Sequence, residues 1–408
     1  MSIDSGKPST HASRGPLTGV RVLDLTTVVM GPYATMILSN LGADIIKLEP
    51  PTGDIMRHVG PMKNPQMGHS FLNANHGKRS IVLDLKRAEA RAAALELARS
   101  SDVFVHNIRP DALNRLGLGY EAVADINPKI IYAAAIGFGT GGRYSGKPAY
   151  DDLIQGIVGI PSLVTEAGGD IPRYLPTPIA DRSVGLYLVG MISSALYARE
   201  VSGKGQSIEV PMFEVLSQYV LGDHMAGLSY EPAQGGPHYT RLISKDRRPY
   251  KTSDGYICAL IYNDSHWKAF FNIIGEPDKF HEDERFSSQT ARSANIDDVY
   301  AFVSPILETK ATSDWLEIFA QHDIPAMPLN TIPSLLDDPH LKDVGFFEFG
   351  EHPTEGRLRR MKPPEKWSET PSEIQGFAPN LGEHSREILS EIGMSAEAID
   401  LALETNNK

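Results

Sequence analysis

Apolar runs of strand length alternate with helical patterns along the first part of the chain. Gly19–Leu25 and Asp44–Leu48 have the length and composition of buried strands, and Gly31-Pro32 opens a helical pattern that Gly42 ends. The alternation continues with strand patterns at Ser80–Leu85, Val103–Val105 and Lys129–Ala135 and helical patterns at Glu89–Ala98 and Asp111–Leu116. Repeated strand–helix–strand units predict an α/β fold built on a parallel sheet.

The pattern changes in the middle of the chain. Asp181–Glu200 has apolar residues at 184, 188, 191, 192, 195 and 196, which is the spacing of one long helix. Ser229–Pro249 is polar and rich in Gly, Pro and Arg, as is typical of a linker or surface loop. A strand pattern at Tyr256–Tyr262 and helical patterns at Trp267–Ile274 and Val299–Thr309 follow. Because 408 residues exceed the usual size of one core, these segments predict a second, smaller domain.

Composition and charge argue against several classes of partner. Hydrophobic residues make up 41% and charged residues 22% of the chain, an ordinary balance for a globular protein. A formal net charge of −12 repels phosphate backbones, so we do not expect a nucleic-acid partner. The single cysteine, Cys258, excludes an internal disulfide and a cysteine-based zinc site, and it fits a reducing cytosol.

No segment has the pattern of a signal peptide or a membrane span. Residues 1–15 are polar, which predicts a disordered arm. The apolar stretches Leu153–Val164 and Val184–Ala198 are too short or too interrupted to span a bilayer. We therefore expect a cytoplasmic protein that does not enter a membrane.

Common cofactor and hydrolase motifs do not fit. Gly137-Phe-Gly139-Thr-Gly-Gly142 follows a strand pattern, but a dinucleotide site also needs a helix that starts at the third glycine, and Gly146 and Pro148 work against one. A flexible glycine loop is the better interpretation. The chain has no G-x-S-x-G or H-E-x-x-H motif, and its histidines are scattered, so we expect no metal site.

Asp181 precedes a long apolar helical pattern and has two interpretations. An aspartate at such a position is most often the N-cap of the helix. A carboxylate at a helix N-terminus is also held ionised by the helix dipole, and a fixed carboxylate can attack an activated acyl group. The position alone does not separate the two.

Basic residues adjoin two of the strand patterns. Lys78 and Arg79 immediately precede a strand pattern, and Arg109 and Arg115 flank the short helical pattern after the next strand. In a parallel sheet ligands bind along the edge where strands end and helices begin, and cations there hold phosphates. Solvated surface charges are an equally good interpretation of these residues alone.

Five groups of short motifs follow one another along the chain. They are Gly19-Val-Arg-Val-Leu-Asp24 with Gly31-Pro32 and Leu41-Gly-Ala-Asp-Ile-Ile-Lys-Leu-Glu49; Lys78-Arg79-Ser80 with Asp84-Leu-Lys86; Val105-His-Asn107 with Arg115-Leu-Gly117 and Ile126-Asn-Pro128; Tyr150-Asp151 with Gln155 and Ala180-Asp181; and Gly203-Lys-Gly-Gln206 with Val210-Pro-Met212. This ordered set resembles the class III coenzyme A transferase family, also called the CaiB/BaiF or formyl-CoA transferase family. The resemblance covers nearly the whole chain from about Pro16.

The resemblance implies a fold and an assembly. It implies a large Rossmann-like domain at residues 16–225, a small α/β domain with linkers at 226–330, and a C-terminal part at 331–408 that returns to the large domain. It also implies an interlocked dimer with a site between domains. The partner would be a second copy of the chain, with a hetero-oligomer as the alternative.

The resemblance also implies chemistry and site residues. Asp181 matches the nucleophilic aspartate that forms an acyl anhydride and then an aspartyl-CoA thioester, so that coenzyme A moves from an acyl-CoA to a free carboxylic acid. No cofactor is bound permanently, because coenzyme A and acyl-CoA are substrates. The positions that match the family's binding residues are Val28 and Val29, near the thioester; Lys78, Arg79, Asn107 and Arg115, for coenzyme A; and Tyr150 and Asp151, which line the same site.

Two alternatives to this activity stay open. The α-methylacyl-CoA racemases of the same fold have a catalytic histidine where this chain has Tyr150, and a racemase needs two acid–base groups beside the α-carbon. This departure disfavours a racemase or other isomerase. The second alternative is a non-catalytic subunit that binds coenzyme A within a hetero-oligomer.

The acceptor acid is constrained by two further departures. The formyl-CoA/oxalate branch has a run of consecutive glycines in a small-domain loop and a glutamine at the position of Val29, and this chain lacks both. We therefore do not expect oxalate to be the preferred acceptor. The basic cluster Arg241, Lys245, Arg247 and Arg248 suggests the hypothesis that a dicarboxylic acid is held by its far carboxylate, with a solvated loop as the alternative.

Overall fold

Six parallel strands form the main sheet of the computed structural model, which describes residues 15–405; the arm predicted at residues 1–15 lies outside this range except for Gly15. The strands are Arg21–Leu25 (β1), Asp44–Glu49 (β2), Lys78–Val82 (β3), Val103–His106 (β4), Ile131–Ile136 (β5) and Gln206–Pro211 (β6). Their order is β3-β2-β1-β4-β5-β6, with every neighbouring pair parallel. The prediction of a Rossmann-like parallel sheet is confirmed.

The sheet is apolar because most of its strands are covered on both faces. All six residues of β5 are buried, and in β1 Leu23 pairs in register with Ile46 on one side and Phe104 on the other. The chain order reverses between β1 and β4, since β2 and β3 extend the sheet one way and β5 and β6 the other. In such sheets the crevice beyond the carboxyl ends of the two central strands is the usual ligand site.

Helices pack against the main sheet and also make up much of the remaining chain. They are Met30–Asn40 (α1), His69–Ala74 (α2), Ala88–Arg99 (α3), Pro110–Arg115 (α4), Tyr120–Ile126 (α5), Asp151–Ile157 (α6), Ile160–Glu166 (α7), Ile179–Ser202 (α8), Met212–His224 (α9), Thr240–Ile243 (α10), Asp264–Ile273 (α11), Lys279–Glu282 (α12), Gln289–Ala294 (α13), Ile296–Leu307 (α14), Thr312–Gln321 (α15), Ile332–Leu336 (α16), Pro339–Asp343 (α17), Ser385–Glu391 (α18) and Ala396–Leu403 (α19). The Ala-rich α3 buries its small side chains in the core that α18 and α19 complete.

The chain divides into two compact units. The larger contains residues up to Ile154, Thr177–Leu216 and Leu341 onward, and it includes the hairpin Phe347–His352 (β10) and Gly356–Met361 (β11). The smaller contains Gln155–Pro176 and Ser217–His340.

The smaller unit has its own aromatic core. Tyr250–Lys251 (β7), Tyr256–Ala259 (β8) and Ala326–Pro328 (β9) form an antiparallel sheet, and Trp267, Phe271 and Trp315 are buried beside it. The domain boundaries that the resemblance implied placed residues 155–176 in the large domain. They lie in the smaller unit instead, because α7 packs against α10 there and the Glu166 carboxylate lies 2.9 Å from Nε2 of His238.

Helix α8 begins two residues before the predicted start and forms one unbroken helix. Its length and composition alone would allow it to cross a membrane. Val184, Leu188 and Ile192 are buried in the larger unit, whereas Leu186 and Val201 are exposed. Helices α6, α7 and α9 and the β10–β11 hairpin were not predicted, because their short patterns carry no distinctive period.

Candidate active site

The loop that joins β1 to α1 lies at the point where the strand order reverses. The side chain of Asn107 holds the backbone of Thr27 at both its N–H and its carbonyl. The Thr27 N–H donates to Oδ1 of Asn107 at 3.0 Å, and Nδ2 of Asn107 donates to the Thr27 carbonyl at 2.7 Å. Asn107 directly follows β4. The predicted site residue Asn107 therefore lies in the crevice, with its amide bound to the chain itself.

Val28 has an unusual backbone conformation. Its φ is +72°, in the left-handed region that a β-branched residue avoids at a cost of about 1–3 kcal/mol. The Val28 N–H donates to Oδ1 of Asp54 at 3.2 Å, and Asp54 in turn forms a fully buried ion pair with Lys47 at 3.0 Å. The surrounding side chains thus hold the loop in a strained form.

This conformation leads directly into the N-terminus of α1. Within residues 15–405, no hydrogen-bond acceptor binds the backbone N–H groups of Val29, Met30 and Gly31. Unpaired N–H groups at a helix N-terminus favour negative charge. The arrangement can therefore stabilise an oxyanion.

Helix α8 packs tightly on the first turns of α1. A β-carbon on Gly185 would lie 2.8 Å from the Met30 carbonyl oxygen, so glycine is required there. Asp181 is one helical turn before Gly185 and shares its face of α8. In the next turn of α1, the Tyr33 ring lies 4.4 Å from the Arg182 guanidinium carbon.

Asp181 is not the N-cap of α8. The helix begins at Ile179, its N-cap is Pro178, and Asp181 lies within the first turn. The Asp181 N–H donates to Oδ1 of Asp151 at 2.9 Å, so Asp151 supplies the acceptor that a cap would supply. Helix capping therefore does not explain why a carboxylate is present at this position.

The pKa of Asp181 is raised to about 7, chiefly by burial and secondly by the Asp151 carboxylate, while Arg182 acts in the opposite direction. Burial therefore opposes the ionised form that a helix N-terminus favours. A carboxyl group with this pKa has about half of its population ionised at neutral pH.

We expect this pKa to appear in the pH profile. A nucleophilic Asp181 must be ionised, so kcat/KM for acyl-CoA should rise with pH to a plateau above a midpoint of about 7. Asp151→Asn keeps an acceptor for the Asp181 N–H but removes the neighbouring charge, so the midpoint should move to lower pH. Initial rates measured over a pH series for both proteins give the two midpoints. Identical midpoints would show that the Asp151 charge does not act on Asp181.

A largely apolar cavity of ≈ 460 Å³ opens at the carboxyl ends of β1 to β4. Its walls include Leu25, Leu48, Leu83, Ile108 and Leu116, and its charged or polar lining residues are Thr27, Asp84, Lys86 and Arg115. Within the part of the chain that the structure describes, neither Lys86 nor Arg115 forms an ion pair. Apolar walls with two unpaired cations suit a ligand that carries both a ring system and phosphates.

Lys78 and Arg79 do not reach this cavity. They begin β3 and so lie toward the amino ends of the strands, whereas ligands bind beyond the carboxyl ends. Lys78 is buried, with Nζ 3.2 Å from Oδ2 of Asp24, and Arg79 binds Asp44 and Glu391, each at 2.7 Å. The Lys78 ammonium is thus held inside the fold and the Arg79 guanidinium is paired at the amino end of the sheet, so this cavity does not support the expected contact of either with coenzyme A.

The other predicted features are placed as follows. Tyr150 is exposed, and Asp151 starts α6 beside Asp181. In the glycine loop, the N–H groups of Gly139 and Thr140 donate to the carboxylates of Glu214 and Glu209, and no helix follows until α6. Among residues 15–405, no group of three His, Cys, Asp or Glu side chains could hold a metal.

The basic cluster of the smaller unit is spread out. The Arg241 guanidinium lies over the ring of Tyr262, and Arg248 forms an exposed ion pair with Asp246 at 3.2 Å. Lys245 packs against Gly168 instead. Arg241, Lys245 and Arg248 therefore each have a separate contact within this unit.

Comparison with known proteins shows the family. The model of CoA-transferase family III matches residues 17–385. A succinate–glutarate CoA-transferase of Agrobacterium fabrum is 32% identical over 92% of this chain and 96% of its own, and an acetyl-CoA:oxalate CoA-transferase of Acetobacter aceti is 37% identical over 78% and 81%. A solved CaiB/BaiF family protein of Brucella suis is 30% identical, with a TM-score of 0.78 over 93% of this chain and 100% of that one.

The chain therefore belongs to CoA-transferase family III, as the motifs predicted. It is an enzyme that transfers coenzyme A, and acyl-CoA and carboxylic acids are the substrate classes of this family.

Three residues of the site were not identified from the sequence. Lys86 follows β3. Because ligands bind beyond the carboxyl ends of parallel strands, a search limited to basic residues that follow strands would have identified Lys86 as a site residue. Asp54 and Lys47 form their ion pair in the interior, and no spacing in the sequence indicates that pairing.

Proposed function

We propose that this enzyme moves coenzyme A from an acyl-CoA donor to a free dicarboxylic acid through covalent intermediates on Asp181. The observation that supports this most directly is that Asp181 lies on the face of α8 that contacts Met30, in the first turn of α1, where three backbone N–H groups have no acceptor among residues 15–405. A carboxylate nucleophile and donors for an oxyanion are the two groups that acyl transfer from a thioester needs.

The first half-reaction loads coenzyme A onto the enzyme. A carboxylate oxygen of Asp181 attacks the thioester carbonyl, the carbon–sulfur bond breaks, and coenzyme A leaves as a thiolate from a mixed anhydride. The thiolate then attacks the Asp181 carbonyl carbon and releases the donor acid as its carboxylate. The product is an aspartyl-CoA thioester, and the anhydride keeps the carbonyl activated so that each step is near energy balance.

The second half-reaction reverses this order with a new acid. The acceptor carboxylate attacks the aspartyl carbonyl and expels the thiolate, and the thiolate attacks the acceptor carbonyl of the second anhydride. Asp181 returns as a carboxylate. Each tetrahedral oxyanion would be stabilised by the N–H groups of Val29, Met30 and Gly31.

The cavity at the carboxyl edge is the binding site that we assign to the nucleotide end of coenzyme A. Its apolar walls suit the adenine ring, and Lys86 and Arg115 suit the phosphates. Lys78 and Arg79 are not part of this proposed site. Val28, Val29 and Asn107 belong to the loop side of the crevice.

A dicarboxylic acceptor is supported by the relatives. The enzymes of Agrobacterium fabrum and of Homo sapiens are named for succinate and glutarate, and one of Haloarcula marismortui for mesaconate. This chain is 30–32% identical to these three over at least 92% of its length.

The proposal is tested by the intact mass of the protein. The purified chain is mixed with a panel of acyl-CoAs without acceptor, and we expect an adduct of acyl or coenzyme A mass that hydroxylamine removes. Addition of succinate, glutarate or a monocarboxylic control should then release acyl-CoA product only with the preferred acid. Exchange of the α-proton with deuterated water, without any adduct or transfer, would favour a racemase and contradict the proposal.

The two ends of α4 provide a test of the cavity. Arg115 lines the cavity and Arg109, which is also exposed and is the N-cap of the same helix, does not. Loss of one charge-assisted hydrogen bond costs about 1.5–3 kcal/mol, so Arg115→Ala should raise the KM for acyl-CoA by about 10–100-fold. Steady-state kinetics should show a similar effect for Lys86→Ala and none for Arg109→Ala. Equal effects of Arg109→Ala and Arg115→Ala would place the phosphates elsewhere.

A further inference from the structure

Side chains from two neighbouring segments fasten the loop between β1 and α1. Lys47 Nζ donates to the Thr26 carbonyl at 2.8 Å, Asn107 binds both sides of the Thr27 peptide, and Asp54 accepts the Val28 N–H. Asn107 follows β4, and Asp54 follows β2. Since β2 and β4 are the two neighbours of β1, the loop is tied to the sheet on both sides of the crevice.

We propose that Asn107, supported by the buried Asp54–Lys47 ion pair, is a positioning residue that aims the N–H groups of Val29, Met30 and Gly31 at the reacting carbonyl. This inference rests on the proposed function, in which those N–H groups stabilise the oxyanion. It gives Asn107 a role different from contact with coenzyme A, which the family resemblance implied.

The strained conformation explains why such ties are needed. A valine with φ of +72° relaxes toward an extended conformation when nothing holds its neighbours. Rotation of the peptide groups around Val28 would turn the following N–H groups away from their common target. Misplacement by about 1 Å is enough to reduce a rate by about 10²-fold.

The loop occupies one donor and one acceptor position of the Asn107 amide. Its oxygen accepts the Thr27 N–H at 3.0 Å and its nitrogen donates to the Thr27 carbonyl at 2.7 Å. The side chain thus acts on the backbone of the loop through a closed pair of bonds, and one N–H and one oxygen lone pair remain for any other contact.

The split between kcat and KM distinguishes the two roles. Asn107→Ala should lower kcat by about 10²-fold and change the KM for acyl-CoA by no more than about twofold. Asn127→Ala is the matched control, because Asn127 also bonds the backbone with both ends of its amide, at 2.8 Å to Ser101 O and 3.2 Å from Lys129 N, but at the amino end of the sheet. Asn127→Ala should lower the thermal midpoint about as much as Asn107→Ala does, but it should leave kcat unchanged.

A second variant guards against misfolding. Val28→Gly keeps every side-chain tie but frees the backbone, so kcat should fall by about tenfold while the thermal midpoint does not fall. Suppose that the wild-type enzyme forms the Asp181 adduct. A raised KM with unchanged kcat in Asn107→Ala, or full activity in both Asn107→Ala and Val28→Gly, would then overturn the positioning role alone. A wild-type protein that forms no adduct would overturn the proposed function and this inference with it.

Discussion

Asp181→Ala should abolish both the covalent adduct and turnover. Removal of a catalytic nucleophile that acts at every step costs about 10⁴-fold or more in kcat. Asp181→Asn should be equally inactive, because the amide has nearly the same shape and lacks the nucleophilic oxygen. Coupled assays of CoA transfer and intact mass measure the two losses on the same preparations.

The control concerns binding. The cavity lining does not include Asp181, so both Asp181 variants should bind coenzyme A with a Kd close to that of the wild type. Calorimetric titration measures this constant. Transfer activity that persists in Asp181→Asn within about tenfold of the wild type would exclude the covalent route, since an amide cannot form the anhydride.

Lys78→Met should be the most destabilising single change among the basic residues considered for coenzyme A. Burial lowers the pKa of Lys78 to about 8, with Asp24 acting against this shift, so the pair is ionic at neutral pH. Removal of Lys78 breaks this buried ion pair and leaves Lys47 as the other cation that acts on Asp24, at a cost of about 3–5 kcal/mol in the free energy of unfolding. Urea unfolding followed by circular dichroism measures this difference.

Arg79→Met is the matched comparison in the adjacent position. Its ion pairs with Asp44 and Glu391 are partly exposed, and pairs of this kind contribute about 1 kcal/mol or less. Neither change should alter the KM for acyl-CoA, because neither residue lines the cavity. A Lys78→Met protein of unchanged stability and raised KM would restore Lys78 to the coenzyme A site.

Several features of this protein were predictable from the sequence because they are local. The strand–helix alternation and the apolar runs predicted the parallel sheet, with strand ends within a few residues of those observed. The motif around Asp181 and the order of the other motifs were sufficient to identify the family. Sequence spacing carries this information because hydrophobic period and turn residues act over a few neighbours.

Other features were decided by the tertiary structure. The sequence could not show that Lys78 is paired with Asp24, that Asn107 holds Thr27, or that Asp151 takes the Asp181 N–H. Each of these contacts joins residues at least 30 positions apart.

The two edges of the sheet show the difference most clearly. From the sequence alone, basic residues beside a strand were assigned to one ligand site, and only the folded sheet separated Arg79 at the amino edge from Arg115 and Lys86 at the carboxyl edge. Local sequence determined which segments became strands and helices and which family the chain belongs to. The packing of those segments decided which charges face a ligand and which are neutralised inside the fold, because a charge buried by folding persists only with a partner that the same folding brings to it.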